Sequence, residues 1–258
     1  MAVGERSGWL SHLVGKKSPP PAVPAGTRVY AVGDIHGRRD LLERLLSQIA
    51  SHAGDAPRKN SLVFLGDYVD RGPQSKDVID FLLQLEWPGW EIVTLRGNHD
   101  QAVIDFVEAP LTYRGWRGFG AAETLVSYGV KAPMFDDDRA FAVARDEFVE
   151  KCPPEHMEFL RSLKLSHVAG DYMFVHAGVR PGIALDQQSA EDMMWIRDDF
   201  LFSNAKLDKV IVHGHSPSEK PVLRRNRIGV DTGAYATGCL TAAVLEGEDC
   251  NFLSTVGG

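Results

Sequence analysis

The sequence has few cysteines, no long apolar run and no excess of positive charge. Its three cysteines, Cys152, Cys239 and Cys250, lack CxxC spacing, which argues against a disulfide framework or a thiolate metal site. No apolar run approaches the roughly 20 residues that span a bilayer, and the first residues lack the pattern of a signal peptide. Because 35 acidic residues outnumber 28 basic ones, the net charge of -7 argues against a general nucleic-acid partner. We therefore expect a cytoplasmic protein that binds neither nucleic acid nor membrane.

The composition is that of one large folded domain with an unusual start. Of the 258 residues, 44% are hydrophobic and 24% are charged, as in ordinary globular proteins. Residues 1–27 include two lysines and four prolines between positions 16 and 24, which predicts a disordered, extended tail. Four apolar residues between positions 9 and 14 leave a membrane or partner contact open as an alternative. Residues 28–258 are assigned to a single domain, and no residue pattern indicates an oligomeric state.

Short apolar runs that end in glycine and polar residues predict buried strands from residue 28 onwards. Three are predicted at 29–32, 62–65 and 92–95, and the first two are followed by apolar residues at helical spacing. This order predicts right-handed βα units in a parallel sheet. After residue 170 strand follows strand, which predicts antiparallel hairpins because little room remains for crossover helices. Residues 101–170 are predicted to be helix and loop, forming an insert or lid on the substrate side.

Residues of the types that commonly bind metals follow the predicted strands in both halves of the chain. They are Asp34, His36, Asp67, Asn98, His99, His176, His213 and His215. Carboxylate, imidazole and carboxamide groups suit manganese, iron or zinc, and an aspartate can bridge two ions through its two oxygens. Each motif alone fits a turn or a strand-end histidine as well as it fits a site. Because all lie at predicted strand ends, their joint occurrence predicts one shared centre with two metal ions.

Three motifs resemble the signatures of the phosphoprotein phosphatase family within the calcineurin-like metallophosphoesterases. They are Gly33-Asp34-Ile35-His36-Gly37, Gly66-Asp67-Tyr68-Val69-Asp70-Arg71-Gly72 and Arg96-Gly97-Asn98-His99-Asp100. Similar matches occur at 174–178, 195–197, 214–217 and 230–234, so the resemblance extends over residues 28–246. It is greatest to the compact bacterial and phage serine/threonine protein phosphatases. The resemblance implies an α/β metallophosphoesterase sandwich of two mixed β-sheets flanked by helices, and a catalytic domain at 28–258.

The resemblance also implies a role for each metal-binding side chain. Asp34 and His36 would hold the first metal, Asp67 would bridge both metals, and Asn98, His176 and His215 would complete the second site. Of the two histidines in the last cluster, His215 matches the family's Gly-His pair, and His213 is expected to be structural. The expected cofactor is a pair of divalent ions, with manganese favoured and iron or zinc as alternatives.

The expected chemistry is hydrolysis of a phosphomonoester. Two divalent ions bound by two carboxylates attract phosphate and lower the pKa of bound water, so a hydroxide that bridges the ions is expected to attack phosphorus in line. His99 is expected to protonate the departing alkoxide while Asp70 orients that histidine. Arg71 and Arg197 match the phosphate-clamping arginines of the family. The expected partner is a protein or peptide phosphorylated on serine or threonine, with phosphotyrosine as a further substrate.

Departures from the family pattern leave a second substrate open. Asp100 stands where most protein phosphatases carry glutamate, and aspartate is also seen there in symmetrical diadenosine tetraphosphate hydrolases. Those hydrolases usually lack the aspartate that is Asp70 here, which favours phosphoproteins as the substrate. Pro217 replaces a metal-binding histidine of the wider superfamily, and Asp70 replaces a tyrosine ligand of purple acid phosphatases. A regulatory protein without turnover is the alternative from another class, but it would lack ligands and none is missing.

Overall fold

Two five-stranded β-sheets form the centre of the fold in the computed structural model, which describes residues 19–54 and 59–256. The strands are β1 (Thr27–Val32), β2 (Lys59–Phe64), β3 (Glu91–Thr94), β4 (Ser166–Ala169), β5 (Tyr172–Val175), β6 (Val210–His213), β7 (Val222–Leu223), β8 (Arg227–Gly229), β9 (Thr241–Glu246) and β10 (Asp249–Ser254). The strand order is β10-β9-β1-β2-β3 in one sheet and β4-β5-β6-β8-β7 in the other. Both sheets combine parallel and antiparallel pairs, which confirms the predicted α/β sandwich of two mixed sheets.

The helices flank the sheets. They are α1 (Arg39–Ala53), α2 (Ser75–Leu83), α3 (Asn98–Glu108), α4 (Tyr113–Trp116), α5 (Ala121–Ser127), α6 (Asp138–Lys151), α7 (Pro154–Ser162), α8 (Ala190–Trp195), α9 (Asp198–Leu201) and α10 (Ala234–Thr237). Most of the insert at 101–170 is helical, and its helices pack with α1 and α2 on the outer face of the first sheet. The insert also contains β4, which the sequence reading did not predict.

Strand β1 is buried on both faces of its sheet. Its alternate residues Tyr30 and Val32 pack against the helices, whereas Val29 and Ala31 pack against the second sheet. A strand covered on both sides carries a continuous apolar run rather than an alternating one. The parallel pairing of β1 with β2 and of β2 with β3 confirms the order predicted for the first half of the chain.

The prediction of antiparallel hairpins after residue 170 is wrong for three strands. Strands β5, β6 and β8 run parallel to one another. The connection between β5 and β6 contains α8 and α9, so it has room for the crossover that a parallel pair requires. Of the predicted strands, β9 and β10 form an antiparallel hairpin as expected. The pairs β4–β5 and β7–β8 are also antiparallel, but β4 and β7 were not predicted from the sequence.

The chain packs onto the sheets before the predicted boundary at residue 28. Val23 is buried between the sheets, and its N–H donates to the carbonyl of Gly247 at 3.0 Å. The Ala22 N–H donates to the Asp171 carboxylate at 3.0 Å. Residues 1–18 of the predicted tail lie outside the described residues. Across the described ranges, no helix is long and apolar enough to cross a membrane.

Candidate metal centre and active site

The predicted site residues meet at one edge of the two sheets. Asp34 and His36 follow β1, Asp67 and Asp70 follow β2, and Asn98 and His99 begin α3 just after β3. His176 follows β5 and His215 follows β6. These strands run parallel within each sheet, so their carboxyl ends point the same way and deliver their loops to one place. All eight side chains are buried.

Backbone strain is concentrated at this edge. Five non-glycine residues of the described chain have a positive φ, and all five lie in these loops: His36, Asp67, Asp70, Arg71 and His215, with φ between 46° and 70°. A left-handed conformation costs about 1–3 kcal/mol at a non-glycine residue, and such residues cluster at functional sites. The packing of the fold therefore stabilises conformations that the isolated loops would avoid.

Close backbone approach brings the β2 and β3 loops together at Gly97. The N–H of His99 donates to Asp67 Oδ1 at 3.0 Å, directly beside this glycine. A Cβ atom at position 97 would overlap Asp67 Oδ1 and lie 2.5 Å from the Asp67 nitrogen. Only glycine allows Asp67 and Asn98 to face the same centre from adjacent loops.

Replacement of Gly97 by alanine is expected to lower the free energy of unfolding by about 1–3 kcal/mol, because the added methyl group forces two loops apart. Urea unfolding measures this change. Gly115→Ala is the matched control, since a Cβ atom there meets nothing within 4 Å. Equal stability of Gly97→Ala and the native protein would contradict the close approach.

One group of possible metal ligands surrounds His176. Its Nε2 lies 3.0 Å from Asn98 Oδ1, 3.3 Å from Asp67 Oδ2 and 3.2 Å from His215 Nδ1. Its Nδ1 lies 2.9 Å from the carbonyl of Leu65, to which it donates its proton. This hydrogen bond turns the ring so that Nε2 faces the other ligands, as outer hydrogen bonds do for metal-binding histidines.

A second group surrounds His36 and shares Asp67 with the first. His36 Nε2 lies 3.5 Å from Asp67 Oδ2 and 4.0 Å from Asp34 Oδ2, while its Nδ1 donates to the carbonyl of Val69 at 2.9 Å. The Asp34 carboxylate also accepts the N–H of His215 at 3.0 Å. His99 also belongs to this group, because one possible ligand atom from each of His36, Asp67 and His99 lies within 4.8 Å of the others. The sequence analysis predicted that His99 acts as an acid and not as a ligand.

The charges in this centre fit two cations. Burial disfavours a charged imidazole, but the Asp67 carboxylate outweighs this cost and raises the pKa of His176 to about 10. Burial, followed by repulsion from Asp231, raises the pKa of Asp34 well above its usual range. Burial and the neighbouring His176 lower the pKa of His215 to about 2, so this imidazole is neutral. His176 must therefore lose its proton to bind a metal, and its imidazole then joins that of His215 and the buried carboxylates in a nitrogen and oxygen donor set that suits divalent ions.

His99 forms a close pair with Asp70. His99 Nδ1 lies 2.6 Å from Asp70 Oδ2, and Arg71 Nη2 lies 3.4 Å from His99 Nε2. Burial lowers the pKa of His99, but the Asp67 charge and the Asp70 hydrogen bond outweigh it, so the pKa is raised overall. A charged imidazolium with Nε2 facing the centre is the form that can donate a proton there.

Two further residues donate hydrogen bonds to the Asp70 carboxylate, and the sequence analysis did not predict either of them as a site residue. The indole Nε1–H of Trp116 donates to Asp70 Oδ2 at 2.7 Å, and the hydroxyl of Thr124 donates to Asp70 Oδ1 at 2.6 Å. Both lie in the helical insert, 46 and 54 positions from Asp70 in sequence. No local motif marks a contact over such a separation.

The Asp100 carboxylate binds backbone N–H groups and does not face the candidate metal centre. Its carboxylate accepts the N–H groups of Gly97, Asp67 and Tyr68 at 2.9–3.0 Å. It therefore ties the start of α3 to the loop that carries Asp67. The aspartate at this signature position is explained by loop packing, so it gives no information about the substrate.

The two predicted phosphate-binding arginines occupy different places at the rim. Arg71 lies over the ring of Tyr235, with its guanidinium carbon 4.6 Å from the ring centre, and next to His99. Arg197 is exposed and lines a cavity of about 310 Å³ together with Trp195. Its positive charge contributes to the lowered pKa of His215.

His213 stands apart from the other predicted histidines. It ends β6, packs edge-on against Phe200 at 5.2 Å between ring centres, and directs its Nδ1 to the Gly214 carbonyl. Neither of the two possible ligand groups in the described residues includes it. This placement agrees with the structural role expected for His213.

The fold and the buried donor set define a metal-dependent hydrolase. The sequence profile of the calcineurin-like phosphoesterases matches residues 27–242. The chain belongs to this family. Its enzymes use divalent metals, and the two ligand groups around Asp67 are the candidate sites for them.

Curated relatives and solved structures show what the chain is similar to. A symmetrical bis(5'-nucleosyl)-tetraphosphatase of Acidovorax ebreus is 33% identical over 156 residues, which is 59% of this chain and 44% of that protein. The chain thus matches less than half the length of this relative. An asymmetrical bis(5'-nucleosyl)-tetraphosphatase of Anoxybacillus flavithermus is 27% identical, with 82% of this chain and 87% of that protein covered. The crystal structure of a putative diadenosine tetraphosphatase shares the fold, with a TM-score of 0.61, 22% identity and coverage of 93% and 100%.

Proposed function

We propose that this hydrolase removes phosphate from phosphoserine or phosphothreonine in proteins or peptides, with manganese as its metal. The His99–Asp70 pair carries this proposal. Cleavage of a serine or threonine ester releases an alkoxide, which is a strong base and leaves only when it is protonated. Cleavage of a dinucleoside polyphosphate instead releases a nucleotide phosphate, a weak base that needs little help. A buried histidine held at 2.6 Å by a carboxylate suits the first reaction better.

Each residue of the candidate site has a role in the proposed reaction. Two divalent ions, when bound by Asp34, His36, Asp67, Asn98, His176 and His215, lower the pKa of water and offset the charge of phosphate. The guanidinium forks of Arg71 and Arg197 bind phosphate oxygens and orient the ester. His99 donates its Nε2 proton to the leaving oxygen, and Asp70 keeps the ring in the orientation that allows this.

The second candidate is a dinucleoside polyphosphate hydrolase. The curated relatives described above carry that activity in their names. Aromatic rings at the rim also favour a ligand with flat bases. The ring centres of Phe119 and Trp195 lie 5.6 Å apart, and Tyr235 lies 5.4 Å from the ring of His36. Trp195 and Tyr235 are 39% and 36% exposed, so both are accessible for stacking.

A paired substrate assay separates the two candidates. We expect the protein, stripped of metal and reloaded with manganese, to hydrolyse a phosphoserine peptide faster than diadenosine tetraphosphate. Initial rates of phosphate and nucleotide release measure both reactions, with Asp67→Asn as the background. A preference for the dinucleotide would favour the second candidate, and inactivity on both would favour the regulatory alternative.

A further inference from the structure

The insert reaches the active site through one short segment, residues 113–124. Its Trp116 and Thr124 donate to the two carboxylate oxygens of Asp70, and its Gly120 carbonyl accepts the N–H of Arg71 at 3.3 Å. A Cβ atom at position 120 would lie 2.6 Å from the Arg71 nitrogen. The segment therefore lies directly against the two residues that neighbour His99.

We propose that Trp116 and Thr124 are positioning residues for proton transfer, because they hold Asp70 in the orientation that aligns His99 with the leaving group. This inference rests on the proposed function, in which His99 is the acid. Neither residue touches the substrate in this proposal. They act through Asp70 alone.

The hydrogen bonds of Asp70 leave its carboxylate one orientation. Oδ2 accepts from both His99 Nδ1 at 2.6 Å and Trp116 Nε1 at 2.7 Å, while Oδ1 accepts from the Thr124 hydroxyl. Rotation of the carboxylate would break these contacts inside a fully buried site, where a lost hydrogen bond is not replaced by water.

The partners of Asp70 also keep its charge available to His99. Among the described residues, His99 is its only possible cationic partner within 4.0 Å. The indole and the hydroxyl are neutral donors, so they stabilise the carboxylate without cancelling its charge. Asp70 therefore keeps the full charge of its carboxylate for the 2.6 Å contact that orients the His99 ring.

Thr124 fixes the backbone of Asp70 as well as its side chain. Its Oγ1 lies 2.8 Å from the Asp70 nitrogen and 3.1 Å from the hydroxyl of Ser75, which itself accepts from Asp70 at 3.0 Å. These contacts hold a residue whose φ is 70°, a conformation that aspartate adopts at a cost. Thr124 is thus better suited to positioning than a residue that merely fills the core.

The dependence of rate on the leaving group tests this role. Phenyl phosphate releases a basic phenoxide that needs protonation, whereas 2,4-dinitrophenyl phosphate releases a weakly basic one that does not. In Trp116→Phe and Thr124→Val we expect kcat/KM for phenyl phosphate to fall about tenfold to a hundredfold, with less than about a threefold change for the dinitrophenyl ester. Thr124→Ser keeps the hydroxyl and should restore most of the phenyl phosphate activity. Trp90→Phe, the same change beside Tyr30, is the matched control and should alter neither rate.

Four results would overturn the inference. A variant that loses equal activity on both esters would indicate a general structural role. So would a Thr124→Ser protein that loses as much phenyl phosphate activity as Thr124→Val. An unchanged rate on phenyl phosphate would show that Asp70 does not need these donors. Failure of the native protein to hydrolyse either ester would overturn the proposed phosphomonoesterase itself, and the inference with it.

Discussion

Asp67→Asn is expected to reduce turnover by at least about a thousandfold and to lower the metal content below two ions per chain. Asp67 is the one carboxylate shared by the two ligand groups, with Oδ2 at 3.5 Å from His36 and 3.3 Å from His176. Asparagine keeps the shape of the side chain but removes its charge and one of its two oxygen donors. Both ligand groups then lose the one anion that they share, and each would hold a divalent ion less tightly.

Metal content measured by inductively coupled plasma mass spectrometry, beside the rate on a phosphorylated substrate, checks this expectation. The control is Asp208→Asn, the same change at an exposed residue outside the site. Because the Asp67 side chain also accepts the N–H of His99, the variant's unfolding should be measured as well. A folded Asp67→Asn protein with two ions and native turnover would contradict a bridging role.

The first two strands that carry ligands are predictable from the sequence because they are buried on both faces. The runs 29–32 and 62–65 are continuously apolar and are followed directly by glycine, so the strand and the loop after it are predicted together. The pairing of β5, β6 and β8 is harder to predict. It depends on a crossover through α8, which has only 6 residues and too few turns to show a helical period.

The candidate metal ligands can be predicted from their positions at strand ends, whereas the residues that hydrogen-bond to Asp70 cannot. Trp116 resembles any core aromatic, packing at 5.1 Å from the ring of Phe106, and only its indole N–H reveals a second role. Asp100 illustrates the reverse error. Its place in a signature suggested a link to the substrate, but its hydrogen bonds serve the backbone of neighbouring loops.

His99→Asn is expected to lower turnover of a phosphoserine peptide by about a hundredfold to ten-thousandfold, the usual contribution of a general acid. The same change should reduce hydrolysis of diadenosine tetraphosphate much less, because the leaving phosphate needs no proton. The comparison also decides between the two roles open to His99, whose Nε2 lies 3.8 Å from Asp67 Oδ2 within the ligand group around His36.

Metal content separates an acid from a ligand. We expect His99→Asn to retain two ions per chain, since His36, Asp34 and Asp67 remain around the first position. His167→Asn, on β4, is the matched control and should leave rates and metal content unchanged. Loss of one ion, with equal losses on the peptide and the dinucleotide, would instead make His99 a metal ligand, and the Asp70 pair would then tune metal binding rather than proton transfer.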